Sequence, residues 1–418
     1  MARTHSDRTI IVGGGVIGAC IAHSLARRGR SVVLLERGEI GRAASFGNAG
    51  LISVGHLPLP RPGLILKGLR WMFDPTSPLL IVPRMDPALW WWLIGFARAC
   101  NHAALERNMR TIGALSRGTR ALFDEYASKY AVEFEYHTNG YMDVFHTEAA
   151  FDHARADAEL VGRLGIREEP ITGDEAIRRE PALLPAVVGA VYRTQAAFAN
   201  PHKFVTGVVD SARSLGATVR TAEPVEEIVV EDRHAVGVRT GSGELIEGST
   251  VVLAAGLWST AIAKRIGTHV PMQPAKGYHV MVNQPEPTPL RTALSLGEVF
   301  VAATPIDGAL RLAGTLELSG LNHVMRQERL DMLQPGAAKY IAGVSNSRVR
   351  STWCGLRPCA ADGLPILGWA PKTEGLLVAT GHAMMGFWLA PITGELVAQM
   401  VCAETLSVDC DPMRVSRL

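Results

Sequence analysis

Gly13, Gly15 and Gly18, in the run IIVGGGVIGACIAHSL, follow an apolar stretch and open a helix-forming one. In that setting G-x-G-x-x-G has a defined job. The first glycine makes a tight turn, the second lets a pyrophosphate approach the backbone, and the third lets the helix pack closely. The helix N-terminus adds partial positive charge for the phosphates. Glu36 ends a second apolar run, SVVLLE, where a carboxylate can accept hydrogen bonds from ribose hydroxyls. Strand, turn, helix, strand and acid in register predict a bound dinucleotide. Arg37 suits a 2′-phosphate or, better, a solvated position near the adenosine.

The residues after this unit argue against a nicotinamide enzyme, which would continue through regular βα units. AASFGNAGLIS, residues 43–53, has almost no bulk. It is followed by Pro58, Pro60, Pro62, Pro75, Pro78, Pro83 and Pro87, and by Trp71, Trp90, Trp91 and Trp92. Small residues let backbone donors approach a flat ring, although the same texture suits a flexible loop. The tryptophans allow three readings: core, substrate lid or contact with a membrane surface.

With RGRSVVLLERG, AASFGNAGLIS, GLRWMFDPTSPL, GLRPCAADGLPILG and ATGHAMMGFWLAPITGELVAQM on the page, the chain resembles the bacterial D-amino-acid dehydrogenases. These belong with D-amino-acid oxidase, glycine oxidase and sarcosine oxidase among FAD-dependent amino-acid oxidoreductases. The resemblance covers nearly the whole chain. It implies an extended FAD and oxidation of a D-amino acid by hydride transfer to flavin N5, giving the 2-oxo acid and ammonia. A quinone or another carrier would take the electrons.

Carried over by motif, Gly13, Gly15, Val16, Ile17 and Gly18 would hold the diphosphate, with Glu36 and Arg37 beside the adenosine ribose. Val225 would meet adenine through its backbone, and Ala255 and Gly256 would close the strand beneath the cofactor. Ala44, Ser45, Asn48, Ala49, Gly50 and Leu51 would frame the flavin on one side, and Gly381, Met384, Met385 and Gly386 on the other. FAD is expected to be dissociable, because Cys354 and Cys359 do not clearly match the spacing of covalently flavinylated relatives.

For the substrate, GLRP at residues 355–358 resembles the segment from which glycine oxidase offers an arginine to the carboxylate. Arg357 is therefore the expected anchor, a surface ion pair being the alternative. The relatives' second arginine is missing, since HAMM occupies residues 382–385. Tyr278 stands where relatives place residues over the flavin, or is a half-buried strand tyrosine. His56 and His382 are candidate proton acceptors or hydrogen-bonded structural residues. Within the same chemistry a D-proline or D-hydroxyproline dehydrogenase, or a sarcosine- or glycine-type oxidase, competes. A non-catalytic electron-transfer subunit is the rival from another class.

Composition narrows the rest. The 418 residues are 47% hydrophobic and 20% charged, with 42 basic and 40 acidic residues, so nothing favours nucleic acid. Six cysteines show neither CxxC nor zinc spacing, which predicts no metal site and a reducing compartment. No secretory signal is read at the N-terminus, and ALWWWLIGFARAC is too short to span a bilayer. A cytoplasmic enzyme is expected, with peripheral attachment to the inner membrane face and homo-oligomer formation left open.

The predicted fold class is α/β with an α+β substrate part: a Rossmann-like FAD-binding domain joined to an antiparallel-sheet domain. Expected FAD-binding segments are residues 1–85, 191–270 and 346–418, and expected substrate segments are 86–190 and 271–345. Helices are expected near 87–129, 149–165, 201–216, 326–342 and 391–402, with a hairpin turn at Gly308.

Overall fold

A computed structural model of the chain describes residues 7–71 and 77–418. Residues 72–76 of the WMFDPTSPL segment and the first six residues lie outside the described residues.

The apolar runs near the N-terminus become the centre of a six-stranded sheet. Its order is Ile366–Trp369, Leu376–Thr380, Thr250–Leu253, Arg8–Val12, Ser31–Leu35, Thr218–Arg220. All neighbours are parallel except the first pair. Parallel strands need cover on both faces, which is why they are unbroken Val/Ile/Leu runs. Helices Val16–Ala26, Pro201–Ser214, Gly386–Val401 and His102–Ser128 supply one cover through a core containing Leu25, Phe123, Phe204 and Leu396. The meander Val225–Glu231, His234–Thr240, Leu245–Glu247 helps to cover the other through Ile10, Val238 and Val251.

A second, nine-stranded sheet faces this unit. Its three longest strands, Val349–Cys359 at the edge, then Gln273–Asn283 and Ala309–Leu318, are paired antiparallel. Alternation along Gln273–Asn283 decides what each side does. Tyr278, Val280 and Val282 enter an apolar core with Leu333 and Tyr340. His279 points the other way and reaches the Gly47 carbonyl. The turn at Asp307 and Gly308, with φ of 54° and 59°, joins Val301–Ile306 to Ala309–Leu318 as a tight hairpin.

Several expected boundaries move. Leu79–Ile81 pairs with Leu316–Leu318, so the sheet domain begins before residue 86. His102–Ser128 packs with the dinucleotide-side helices instead of the sheet, because Ile112, Leu115, Phe123 and Tyr126 face that core. Gly189–Arg193 belongs to the nine-stranded sheet and runs past residue 190, and Val349–Cys359 carries the sheet past residue 345. The long helix from residue 87 is two helices, Pro87–Ala99 and His102–Ser128. Asn101 caps the second by accepting the Ala104 N–H at 2.9 Å. The segment near 326–342 forms Gln327–Asp331 and Leu333–Ala338. The closing helix starts at Gly386, ahead of Pro391, and burial of its sides holds it despite the proline. The 383–401 stretch is long and apolar enough to cross a membrane, but most of it is buried against the Val16–Ala26 and His102–Ser128 helices.

Three imidazoles inside this framework, His23, His279 and His382, are almost fully buried. Burial lowers their pKa values to about 4, about 3 and about 3. A depressed histidine pKa means that the unfolded chain takes up a proton that the folded chain refuses. Stability is therefore whole above the ordinary histidine pKa near 6.5 and falls as the pH drops towards those folded values. Each contributes about 1.4 kcal/mol per pH unit in that window. The thermal midpoint should fall steeply between pH 6.5 and 4.5 and be flat from 7 to 8, and His382→Asn should shallow the acid limb in calorimetry.

Candidate active site

Packing separates the three fingerprint glycines. A Cβ on Gly18 would lie 1.9 Å from the Gly13 carbonyl oxygen, and one on Gly13, at φ 113°, would lie 2.6 Å from the Ala254 oxygen. Those two residues must be glycine for the turn to close. Gly15 has extended backbone, and its Cβ would meet only the Ser45 hydroxyl, at 3.4 Å. Its missing side chain thus leaves a space that the protein does not fill. Helix Val16–Ala26 begins there with no side-chain cap from Gly15, and the Val16 N–H donates to Ser45 Oγ at 3.0 Å.

Glu36 accepts the N–H groups of Gly14 at 2.7 Å and Gly38 at 2.9 Å. It braces the turn and keeps lone pairs for a ribose. Arg37 is exposed and stacks over Trp258 at 3.6 Å, which fits a solvated residue better than a phosphate ligand. Val225, Ala255 and Trp258 pack on one cluster at the carboxyl edge of the sheet, and Gly256, at φ 56°, opens onto free space. Ile17 packs on the helical core beneath the turn.

The small-residue stretch lies between the two sheets. A Cβ on Gly47 would strike the Trp353 ring at 2.1 Å, and one on Gly50, at φ 81°, would lie 2.3 Å from the Ala199 oxygen. Asn48 accepts the Gly50 N–H at 2.9 Å and donates to the Met384 carbonyl at 3.4 Å, joining the two segments expected to frame the flavin. Ala44, Ser45 and Ala49 are half-buried, and Leu51 starts a short strand pair with Phe198. On the other side Gly381 and Ala383 have φ of 75° and 50°, Met385 is buried and Met384 half-buried. No side chain caps the N-terminus of Gly386–Val401. Gly386 itself is under no steric demand, since its Cβ would sit 3.6 Å from His382 Cβ. Two helix starts whose own N-cap residues offer no capping side chain, a side-chain-free cradle and small-sided walls fit an extended dinucleotide carrying a flat ring.

Arg357 projects from Val349–Cys359 across Gly277, whose absent Cβ would lie 2.1 Å from the guanidinium. One Nη donates to the Thr315 carbonyl at 2.9 Å. Thr315 has φ 61°, at an irregularity in the pairing with Gln273–Asn283, so a bulge turns that carbonyl toward the arginine. Arg357 is half-buried and forms no ion pair among the described residues; desolvation lowers its pKa.

The other three candidates part ways. Tyr278 is not at the site. It faces the opposite side of the sheet, donates to Glu317 at 2.7 Å, and is pushed upward in pKa by burial and by that bond. Glu317 also holds Lys276 and Arg326, each at 3.3 Å. His382 is spent on structure. Its Nε2 is 3.0 Å from the Thr393 hydroxyl, which donates to the Leu389 carbonyl, so Nε2 must carry the proton. His56 lines a pocket with Leu59, Pro60, Trp92, Phe96, Cys359 and Met384, beside the segment expected to frame the flavin. Burial, with Arg193 and Arg61 nearby, lowers its pKa to about 4, so it is neutral but weakly basic. Cys354 shares the Tyr278 face, away from this pocket.

Residues 8–400 match the family described as FAD dependent oxidoreductase. The chain belongs to that family. A D-amino acid dehydrogenase of Xanthobacter autotrophicus is 29% identical over 416 residues, 98% of this chain and 99% of its own. Glycine oxidase from Geobacillus kaustophilus superposes with a TM-score of 0.78 at 25% identity, over 99% of this chain and 100% of that one. L-proline dehydrogenase from P. horikoshii has a TM-score of 0.78 at 20% identity, over 99% of this chain and 98% of that one, and shares the fold. This FAD-dependent oxidoreductase therefore uses FAD as its dinucleotide.

Residues that sequence reasoning did not single out complete the site. Arg311, His279 and Trp353 back the small-residue stretch. Their only signal in the sequence is strand alternation. The glycine geometry makes a sharp prediction. Gly15→Val should fold with a near-native circular dichroism spectrum yet purify without yellow colour, whereas Gly18→Val should fail to give soluble protein.

Proposed function

We propose that this enzyme oxidises a D-amino acid at Cα to the imino acid, which water converts to the 2-oxo acid and ammonia. FAD held between the Gly13–Gly18 turn and residues 45–51 would supply the acceptor for the Cα hydride, and a quinone or another carrier would take the electron pair. The observation that carries the reading is Arg357, a half-buried guanidinium without a carboxylate partner among the described residues. An unpaired cation in such a place is costly unless an anion arrives to meet it. A substrate carboxylate gripped by its fork would have its Cα orientation fixed relative to the ring. The relatives named D-amino acid dehydrogenase supply the choice of D-isomer.

With Ala383 where glycine oxidase carries its second arginine, one fork has to hold the carboxylate. Trp92, Phe96, Leu59 and Met384 make the neighbouring wall apolar, which excludes water and favours uncharged substrate side chains. Neutral His56 would accept a hydrogen bond from the ammonium, while its low basicity leaves final proton removal to solvent. Cys354 faces away and burial pushes the Cys359 thiol up to about 12, which supports dissociable FAD.

A lipid surface is proposed as the place where electrons leave. Helix Pro87–Ala99 buries Trp92 while Trp90 and Trp91 stay 55% and 70% exposed, beside exposed Ile94 and Arg98. Trp91→Glu should abolish cosedimentation with anionic liposomes while leaving dye-coupled turnover intact.

Arg357→Ala should keep its flavin and raise KM about 100-fold, the equivalent of losing a charge-assisted pair worth about 3 kcal/mol. Arg357→Lys should fall between the two. Anaerobic mixing with single D- and L-amino acids, both prolines included, should bleach the flavin band with D-isomers. Bleaching by L-isomers alone would overturn the assignment, bleaching unaffected by Arg357→Ala would remove Arg357 as the carboxylate anchor, and no bleaching by any amino acid would favour an electron-carrier role.

A further inference from the structure

Arg311 is only 2% exposed, near the start of Ala309–Leu318 on the face turned toward the small-residue stretch. One Nη donates to the Phe46 carbonyl at 3.1 Å and the Asn48 carbonyl at 2.7 Å, and Nε lies 3.4 Å from the Met281 sulfur. It forms no ion pair among the described residues. Asp307 and Glu135 attract it only at a distance and pair instead with Lys203. Burial lowers its pKa to about 10, so it stays cationic at neutral pH. A methionine or leucine would fill such a space without a desolvation cost, so packing alone does not explain the charge.

The carbonyl between those two is also taken. His279 Nδ1 lies 3.3 Å from the Gly47 oxygen, and its ring stacks on Trp353 at 5.1 Å, over the space where a Gly47 side chain would be. Arg311 and His279 thus hold three successive carbonyls, of Phe46, Gly47 and Asn48, against the sheet. The Gly47 and Ala49 N–H groups have no acceptor among the described residues. Carbonyls fixed on one side leave these donors for the other.

We propose that Arg311 is a positioning residue for FAD: it locks the Phe46–Asn48 backbone so that the Gly47 and Ala49 amides meet the flavin, and it sets a fixed positive charge behind that wall. The inference rests on residues 45–51 being the flavin-side segment. In a water-poor site such a charge favours the negative charge that arrives on the ring with the electrons, so it raises the midpoint potential.

The test compares wild type, Arg311→Lys, Arg311→Met and Gly15→Val by FAD titration of the apoprotein, flavin circular dichroism and redox titration. Arg311→Met should bind FAD at least 10-fold more weakly, with an altered visible dichroism band and a more negative midpoint potential. Arg311→Lys, which keeps the charge but loses the planar group held by Met281 through Nε, should recover most of the potential and little of the affinity. If Arg311→Met does not fold, this lysine variant carries the test. Wild-type affinity, dichroism and potential in either variant, or a lowered melting temperature with all three unchanged, would overturn the proposal. Retention of FAD by Gly15→Val would instead remove the cofactor site on which it stands.

Discussion

The contact between Gly18 and the Gly13 carbonyl is the constraint from which the site follows. With no room for a methyl group between them, the first helix lies against its own entry turn and its N-terminus is aimed past the sheet edge. Glu36 then clamps the turn through the Gly14 and Gly38 amides, and Ser45 reaches the Val16 amide from the next segment. That last bond fixes where the small-residue stretch must run. Asn48 extends the link to Met384, so the start of the closing helix is located from the same turn. One steric fact at residue 18 thus positions walls that are distant in sequence.

The second sheet contributes cations where the first contributes amides. Arg311 and Arg357 stand on strands that flank Gln273–Asn283, and neither has an acidic partner among the described residues. Their compensation is backbone carbonyls: Phe46 and Asn48 for one, Thr315 for the other. Carbonyl dipoles offset part of the desolvation cost and leave the net charge in place. A wall built this way keeps a positive field in a low-dielectric space, the setting in which an anionic substrate group and incoming electron density are both favoured. Lys276 shows the contrast. On the opposite face it is matched by Glu317, with Asn322 and the Val324 carbonyl completing its shell, and its charge is locally neutralised.

How much of this the sequence disclosed depends on how local each feature is. The strand–turn–helix and its acid are legible because all the determinants fall within residues 8–36, and the Gly308 hairpin because two residues decide it. Tyr278 was misplaced because which side it faces is a register property. The pairing irregularity near Thr315 lets Lys276 and Tyr278 share a face with Glu317 on a neighbouring strand, and no pattern within KGYHV shows that. Arg311 was missed for the related reason that an arginine in an apolar alternation suggests the solvated side of a sheet. Only the docking of residues 46–48 makes that side an interior. Domain boundaries slipped where one strand or helix crosses between units, as Leu79–Ile81 and His102–Ser128 do.

The proposal of a single carboxylate anchor has a structural corollary. Where a relative carries an arginine after its Gly-His pair, this chain has Ala383 in a left-handed backbone conformation, with no reach toward a substrate. In that proposal all of the orienting torque comes from Arg357, whose own direction is set by the Thr315 carbonyl and by the open space over Gly277. A guanidinium held at one Nη by a backbone acceptor can still present its other edge as a planar fork. The strained bulge at a β-branched residue is thus the support on which one arginine would do the orienting work of two. The apolar wall of Trp92, Phe96 and Met384 complements it, because a fork with no rival anion and little competing water grips a carboxylate more strongly than the same fork on the surface.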